Sequence, residues 1–368
     1  MTYRCPSCGQ PFDAADGFCE TCGSPLVPAA VSPGAEGGVL ECPVCSADSS
    51  APPAGVSSEG YCESCGRKVP TVRDHVELDV GVAAGVTDRG LRHSRNEDAM
   101  ALAGTMGPGG PAAVAVVCDG VSSAPRADEA SLVAVRAAVR VLLAAVRAGD
   151  DPATASAAAA LAGGRALADL VGPAGAPAAT YASAVVDSGA VTVCWLGDSR
   201  VYWLAAEGSD SRFLTRDDSL AEELVASGLA SVEEAMASPQ AHVITRWLGA
   251  DLPEPQPHVA RFEPAGPGVV LVCSDGLWNY RPEPAELAAM ALPTAQTDPL
   301  AAAVAMVKFA VDAGGADNIT AVLAPFPPVW SESLSRRQRW PACPDSLWTS
   351  TRTRTCRWAG ATSARSSP

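Results

Sequence analysis

The chain has 368 residues, 48% of them hydrophobic, and its 41 acidic and 26 basic side chains give a formal net charge of -15. That length suits one large domain or two or three smaller ones, and that charge excludes a nucleic-acid backbone as the main partner, because such a partner calls for basic patches. No run is long and apolar enough to cross a bilayer; the best candidate, Ser131 to Ala148, carries Arg136, Arg140 and Arg147 and reads as a helix in water. Arg4-Cys5-Pro6 follows the start without a signal-peptide pattern, so the expectation is a cytoplasmic protein.

Eight of the thirteen cysteines fall in four Cys-x-x-Cys pairs within the first 65 residues. Ten residues separate Cys5/Cys8 from Cys19/Cys22, and sixteen separate Cys42/Cys45 from Cys62/Cys65. Each pair offers two sulfurs from one tight turn, and two turns brought together make a tetrahedral four-sulfur site. Gly9, Gly23 and Gly66 directly follow second cysteines, where a side chain would crowd the ion. Without an export signal, this pattern favours metal thiolates over disulfides. The expectation is two structural Zn²⁺ sites in zinc-ribbon-like modules at 1–26 and 39–70, paired in sequence order. A crossed pairing, and an iron or redox role, stay open as alternatives. Phe12, Phe18 and Tyr61 are too small a core for packing alone, so metal binding and folding of each module should be one event. Residues 27–38 between the modules are rich in Pro, Ala and Gly and read as linker.

A larger domain is expected over 75–328. Val80–Thr87 and Ala112–Cys118 read as strands, followed by helices at Asp128–Ala148 and Ala153–Leu170. Asp151 and Pro152 suit the cap and first turn of the second helix. Strands return at Tyr181–Asp187, Ala190–Leu196 and Val201–Ala205, the first two joined by a turn at Asp187-Ser188-Gly189. Short helices at Leu220–Ser227 and Ser231–Ser238 precede a buried strand at Val269–Cys273. Helices at Glu283–Leu292 and Pro299–Val311 and a closing strand at Ile319–Ala324 complete the domain. Hairpin-connected strands with helix pairs between them predict an antiparallel α+β sandwich, not a doubly wound sheet.

Short acidic patches sit at the ends of these runs. Val114–Cys118 exits into Asp119-Gly120, Val269–Cys273 into Ser274-Asp275-Gly276, and Asp317-Asn318 precedes the closing strand. Asp198 lies in Gly197-Asp198-Ser199-Arg200, and Asn96-Glu97-Asp98 forms a further patch. One Asp-Gly alone is more often a turn than a ligand. Together at strand ends, these hard oxygen donors suit Mg²⁺ or Mn²⁺ rather than zinc. Two such ions about 4 Å apart can orient a hydroxide and stabilise charge on a phosphoryl group.

With these patches in place, the chain resembles the metal-dependent protein serine/threonine phosphatases of the PPM (PP2C-like) family, bacterial type, from about Val80 to Pro325. The resemblance is carried in order by Thr87-Asp88-Arg89-Gly90, Asn96-Glu97-Asp98-Ala99, Val117-Cys118-Asp119-Gly120, Gly197-Asp198-Ser199-Arg200, Asp217-Asp218-Ser219-Leu220, Thr245-Arg246-Trp247-Leu248-Gly249, Cys273-Ser274-Asp275-Gly276-Leu277-Trp278 and Asp317-Asn318-Ile319-Thr320. It implies a four-layer α-β-β-α sandwich holding two Mn²⁺ or Mg²⁺ ions, with a third in some members. Asp119 is then the bridging carboxylate, and Asp275 and Asp317 ligands of the first ion. Glu97 and the carbonyl of Gly120 serve the second, Asp198 with Asp275 a third. Asp98 orients the attacking water, and Asn318 supports the ligands from behind. The implied reaction is direct hydrolysis of phosphoserine or phosphothreonine in proteins, opposing a Ser/Thr kinase, whose own chain or targets are the natural partners.

Several positions depart from the family pattern. His93 stands where an arginine usually binds the substrate phosphate, and Arg92 and Arg95 flank it as substitutes; an arginine fork suits phosphate better than a neutral imidazole. Val121 replaces a histidine of eukaryotic members, Val121-Ser122-Ser123 a glycine-rich continuation, Ala179-Thr180-Tyr181 a Gly-Thr-Thr, and Ala316 a frequent histidine. The alternatives for this domain are a phosphatase-fold scaffold with weak catalysis and a hydrolase of small phosphomonoesters. Cys118, Cys194 and Cys273 read as core residues. Residues 329–368, with four of the eight tryptophans and seven arginines, read as a disordered or misread tail.

Overall fold

The computed structural model of this protein describes residues 3–4, 10–12, 30–34, 57, 61–206, 210–249 and 255–329. In the N-terminal part, strands β1 (Tyr3–Arg4) and β2 (Pro11–Phe12) pair antiparallel, Tyr3 opposite Phe12. The short strand β3 (Ala30–Val31) lies within the stretch read as linker. It pairs with the edge of a sheet of the main domain, where the backbone N–H of Ser32 donates to the Met100 carbonyl at 3.0 Å. Residues 330–368, expected as tail, lie outside the described residues.

The main domain opens with a hairpin, β4 (His75–Asp79) and β5 (Ala84–Asp88). The run Val80–Thr87 is therefore not one strand. Its first half is a turn in which Gly81 has φ 83°, its N–H donates to the Asp79 carboxylate at 2.8 Å, and Val80 N–H donates to the Ala83 carbonyl. The turn and the strand after it, Val80 to Val86, are all apolar or glycine, so hydrophobicity alone could not locate the break. Next come β6 (Asp98–Gly107) and β7 (Gly110–Asp119), ten residues each in one long hairpin. No strand was expected over β6. Its larger side chains, Met100 and Leu102, go to one core and Ala99, Ala101 and Ala103 to another, so the strand alternates by size and not by polarity.

Helix α1 (Ala127–Ala148) stops at Gly149, which takes the left-handed conformation that favours glycine. Helix α2 (Pro152–Ala166) starts as expected: Asp151 accepts from Thr154 N–H, and Pro152 needs no donor. It ends four residues short of the expected Leu170, and a 3₁₀ turn covers Ala168–Leu170. There follow β8 (Ala178–Ala179), β9 (Tyr181–Val186), β10 (Val191–Leu196), β11 (Arg200–Ala205) and β12 (Arg212–Phe213). Helices α3 (Leu220–Ala226) and α4 (Val232–Met236) precede β13 (Leu248–Gly249) and β14 (His258–Phe262). Ser231 and Glu234 form a reciprocal capping box at the start of α4. The chain then continues through β15 (Gly268–Cys273), α5 (Asp275–Trp278), α6 (Pro284–Ala295), α7 (Pro299–Asp312) and β16 (Ile319–Phe326).

Two six-stranded sheets result, ordered β14-β10-β9-β7-β6-β3 and β12-β11-β15-β16-β5-β4, with every pairing antiparallel. Their facing sides share one core that includes Met100, Val117, Trp203, Val272 and Val322. On the outer side of the first sheet α1 contributes Leu142 and Val135, and on that of the second α6 and α7 contribute Leu287 and Met306. The order of layers is thus helix, sheet, sheet, helix, the order that the family resemblance implied, built from the antiparallel sandwich that the element pattern predicted. Cys118, Cys194 and Cys273 are buried in these cores, and burial pushes their thiols up, Cys194 to about 12, so they serve as small apolar residues. Among the described residues, no helix is long and apolar enough to cross a membrane.

At the outer strand β4, His75 pairs with Asp88 at 2.7 Å and Glu77 at 3.2 Å. The Asp88 hydrogen bond leads in raising its pKa to about 9, against an unfolded value near ~6.5. A raised pKa means stability that is complete below about 6.5 and drains away as pH climbs through about 9. Chemical denaturation of wild type and His75→Gln should show the two midpoints converging between those pH values, with a small gap at pH 6 because the ring is half exposed.

Candidate metal centre

The acidic residues are gathered by strand register. Asp98 opens β6 directly opposite Asp119, which closes β7. In the second sheet, β15 ends at Cys273 opposite Ala321, just inside β16, so Asp275 and Asp317 lie at one end of that pair. Asp198 occupies the crossing from β10 to β11, and β11 starts opposite Cys273. Five carboxylates from both sheets therefore come within electrostatic reach of one another: Asp98, Asp119, Asp198, Asp275 and Asp317. Among the described residues, no three acidic, histidine or cysteine side chains already converge as a finished ligand set.

Backbone approach at this end is close. A Cβ on Gly120 would lie 2.3 Å from the Ala127 carbonyl oxygen, and one on Gly276 2.0 Å from that of Asn318. Only glycine lets these turns press together behind the carboxylates.

Asp98 is buried and held by neutral donors. Ser274 Oγ donates to its Oδ2 at 2.7 Å and Thr320 Oγ1 at 2.6 Å, while its backbone N–H donates to Asn96 Oδ1. Asp119 is fixed through its backbone: its N–H donates to Thr180 Oγ1, and Thr180 N–H returns to the Asp119 carbonyl at 2.8 Å. Thr180 in turn shares a hydrogen bond with Ser199, beside Asp198. Asn279 donates to Asp275 Oδ2 at 3.2 Å. Ser122, where a glycine was expected, donates to Glu97 Oε2, and Arg95 approaches the other Glu97 oxygen at 3.7 Å.

The residues expected to bind phosphate separate on inspection. His93 turns inward, its Nε2 3.1 Å from Asp317 Oδ1. Arg92 is exposed, and Arg95 is largely exposed, pairing with Asp128 at 3.3 Å as well as Glu97. Asn318 ties this loop to the second sheet. Its Oδ1 accepts from Glu97 N–H at 2.7 Å, and its Nδ2 donates to the carbonyls of Arg89 and Arg95.

Charge accumulation dominates the electrostatics. Burial first, then the other carboxylates, pushes the proton affinity of Asp119 and Asp275 well above the usual range. Burial raises Asp98 to about 6 and Asp198 to about 7. Asp98 Oδ1 and Asp275 Oδ1 are sealed from solvent with no hydrogen-bond partner. Orphaned buried carboxylate oxygens amid like charges fit a hard divalent cation, which would satisfy the lone pairs and remove the repulsion together.

Sequence reasoning missed several contributors. Ser274 and Thr320 sit inside quoted motifs, so their positions were visible but not their task of holding Asp98. Arg73, whose guanidinium reaches the Asp98 carbonyl, belongs to no motif at all. Of the cysteine pairs, only Cys62 and Cys65 fall among the described residues, Cys62 buried and Cys65 exposed. They lie on a tight turn in which Gly66 N–H donates to the Cys62 carbonyl at 2.7 Å. Cys5, Cys8, Cys19, Cys22, Cys42 and Cys45 lie outside the described residues.

Known proteins share this sequence pattern and fold. The family model described as Protein phosphatase 2C matches residues 89–307. Serine/threonine phosphatase stp of Listeria innocua is 37% identical over 145 residues, which cover 39% of this chain and 55% of that protein. Protein phosphatase PhpP of Streptococcus pneumoniae is 35% identical over 143 residues, or 38% of this chain and 54% of that one. The chain thus spans about half the length of the curated relatives it matches. The crystal structure of the Mycobacterium tuberculosis serine/threonine phosphatase PstP/Ppp aligns with a TM-score of 0.53 at 28% identity, covering 68% of this chain and 99% of that one. The catalytic domain of PstP in complex with two manganese ions gives 0.51 at 27% identity, over 66% and 97%.

Carboxylates with raised proton affinity favour the fold in acid and oppose it once ionised. Without divalent cation, the melting temperature should fall as pH rises from about 5 through about 7, where Asp98 and Asp198 lose their protons. Added Mn²⁺ should reverse the loss at pH 8 and have little effect at pH 5. A flat profile in calorimetric melting would contradict the charge cluster.

Proposed function

Because the chain belongs to the protein phosphatase 2C family, we propose that it hydrolyses phosphoserine and phosphothreonine in proteins. The observation that carries the proposal is the convergence of Asp98, Asp119, Asp198, Asp275 and Asp317 from the ends of two packed sheets. Asp119, Asp275 and Asp317 would hold one divalent ion, and Asp119, Glu97 and the Gly120 carbonyl a second, with Asp198 and Asp275 available to a third. When bound, Mn²⁺ or Mg²⁺ supplies water activation at neutral pH and neutralises the charge gathering on the phosphoryl oxygens.

The protein's own groups do the rest. Asp98, whose Oδ1 has no hydrogen-bond partner among the described residues, would accept a hydrogen bond from the attacking water and set its direction. Ser274 and Thr320 keep that carboxylate from rotating. Ser122 restrains Glu97 from one side and Arg95 from the other. His93, beside Asp317, takes the place of the usual arginine, so the phosphate-binding charge falls to Arg92 and Arg95 at the rim. A kinase of the Ser/Thr class, or its targets, is the partner this chemistry implies.

The cysteine turns are proposed as structural Zn²⁺ modules. What supports this reading is the Cys-x-x-Cys spacing and the tight turn at Cys62–Cys65, closed by the Gly66 N–H on the Cys62 carbonyl. Such a site is filled by its four ligands and takes no part in hydrolysis.

A phosphothreonine peptide assay with added Mn²⁺ tests the proposal. Turnover by the full chain should fall at least about a hundredfold in Asp119→Asn, the scale of several kcal/mol of lost charge stabilisation. Equal turnover in that variant would defeat the bridging role. Turnover of small phosphomonoesters alone would move the substrate assignment away from proteins.

A further inference from the structure

The stretch after the Cys62–Cys65 turn is tied into the metal centre. Cys62 N–H donates to the Arg67 carbonyl at 2.7 Å, Tyr61 bridges Lys68, and Val69 is buried. The chain then enters a turn in which Asp74 N–H donates to the Thr71 carbonyl and Thr71 Oγ1 to the Asp74 carboxylate. Both residues at the end of this turn reach the loop that carries Arg92, His93, Arg95, Glu97 and Asp98.

Arg73 has a side chain only 7% exposed. Its Nη1 donates to the Asp128 carbonyl at 2.9 Å and its Nη2 to the Asp98 carbonyl at 3.2 Å, with the Asp128 carboxylate 3.9 Å away. Its own carbonyl accepts from Asn96 Nδ2 at 3.1 Å, and Asn96 Oδ1 accepts Asp98 N–H. Asp98 is therefore gripped on both sides of its Cα: at the N–H through Asn96 and at the carbonyl by Arg73. Asp74 holds the other end of the loop. Its carboxylate accepts Arg89 Nε at 3.1 Å and its carbonyl accepts Arg89 N–H, while Arg89 Nη1 donates to the His93 carbonyl. Sinking a guanidinium beneath a loop costs several kcal/mol unless its donors are placed on acceptors; here the acceptors are backbone carbonyls, one at the end of the loop on Asp98 and one in the first turn of α1 on Asp128. Arg73 and Asp74 precede the family match, which begins at residue 89.

We propose that Arg73 and Asp74 are positioning residues for the hydrolytic centre, which together set the loop from Arg89 to Asp98. The proposal rests on the phosphatase reading above, as a regulation of the same site. Neither residue touches substrate. Arg73 acts through Asp98, and Asp74 through Arg89 and His93.

Full-length Arg73→Met, Arg73→Lys and Asp74→Asn test it. Three readouts apply: thermal melting, amide hydrogen exchange without divalent cation, and Mn²⁺ titration calorimetry. In Arg73→Met, exchange at residues 96–98 should quicken about tenfold, and Mn²⁺ affinity should drop about tenfold, the effect of losing hydrogen bonds to a charged donor. With phosphopeptide, kcat should fall while KM stays within about twofold, because an interaction that aligns the reacting groups has been lost and not one that binds substrate. Arg73→Lys, which keeps the charge and reaches fewer acceptors, should fall between. Should Arg73→Met fail to fold, Asp74→Asn decides by faster exchange confined to residues 89–93. Unchanged exchange in a folded variant overturns the proposal. So does an increase spread evenly over the domain with a lower melting temperature, which marks a purely structural role. A wild type that turns over no phosphopeptide would defeat the phosphatase reading, while the exchange data would still decide the positioning of the loop.

Discussion

Repulsion among acidic side chains at the shared end of two sheets is the constraint around which this molecule is organised. Five carboxylates come together there because strand register leaves them no alternative: once β6 pairs with β7, Asp98 stands against Asp119, and once β15 pairs with β16, Asp275 stands near Asp317. The free energy to hold them there comes from elsewhere, from three apolar cores packed between and outside the sheets. The centre is thus a strained end of a well-packed sandwich, and the packing permits the strain.

How the carboxylates are held matters as much as where. Hydroxyls and amides do most of the holding: Ser274 and Thr320 on Asp98, Asn279 on Asp275, Ser122 on Glu97. Such groups orient a carboxylate without neutralising it, so the negative field survives for a cation. Formal positive charge near the carboxylates lies at the margin on Arg95 and exposed Arg92, where it can meet an arriving anion, and beneath the loop on Arg73, whose guanidinium is spent on backbone carbonyls. Arg200 is largely buried too, but its guanidinium is bound to Asp217 at 2.8 Å and stacked 3.5 Å from the Trp278 ring. It braces the wall behind Asp198, whose carbonyl accepts the Trp278 N–H.

Much of this arrangement could be read from residue order. The apolar strands ending in Asp119 and Asp275 were plain because each is a short run of Val, Ala or Leu stopped by an acidic residue and glycine. The helix start at Asp151 and Pro152 followed from their side chains. What escaped has a common physical origin. Strand β6 is so rich in alanine that no polar face marks its alternation, and the turn from Val80 to Ala83 runs into the next strand without a polar residue between them. Arg73 escaped for another reason: its value lies wholly in backbone carbonyls of distant residues, Asp98 and Asp128, which carry no signature of their own. His93 was noticed as a misfit, and its contact with Asp317 depends on a fold-back that spacing cannot supply.

One amide sets a rule for how this site can vary among related chains. Asn318 accepts the N–H of Glu97 and donates to the carbonyls of Arg89 and Arg95, spanning nearly the whole loop with a single side chain. Three attachment points on one rigid group fix the count of residues between them but say nothing about the side chains in between. Substitution at positions 92, 93 and 94 therefore leaves the path of the backbone intact, whatever it does to phosphate binding, whereas one inserted or deleted residue would tear a carbonyl from its donor and carry Glu97 away with it. A histidine in an arginine's place is the kind of change such a loop absorbs, and drift in this lineage should run through identity at constant length.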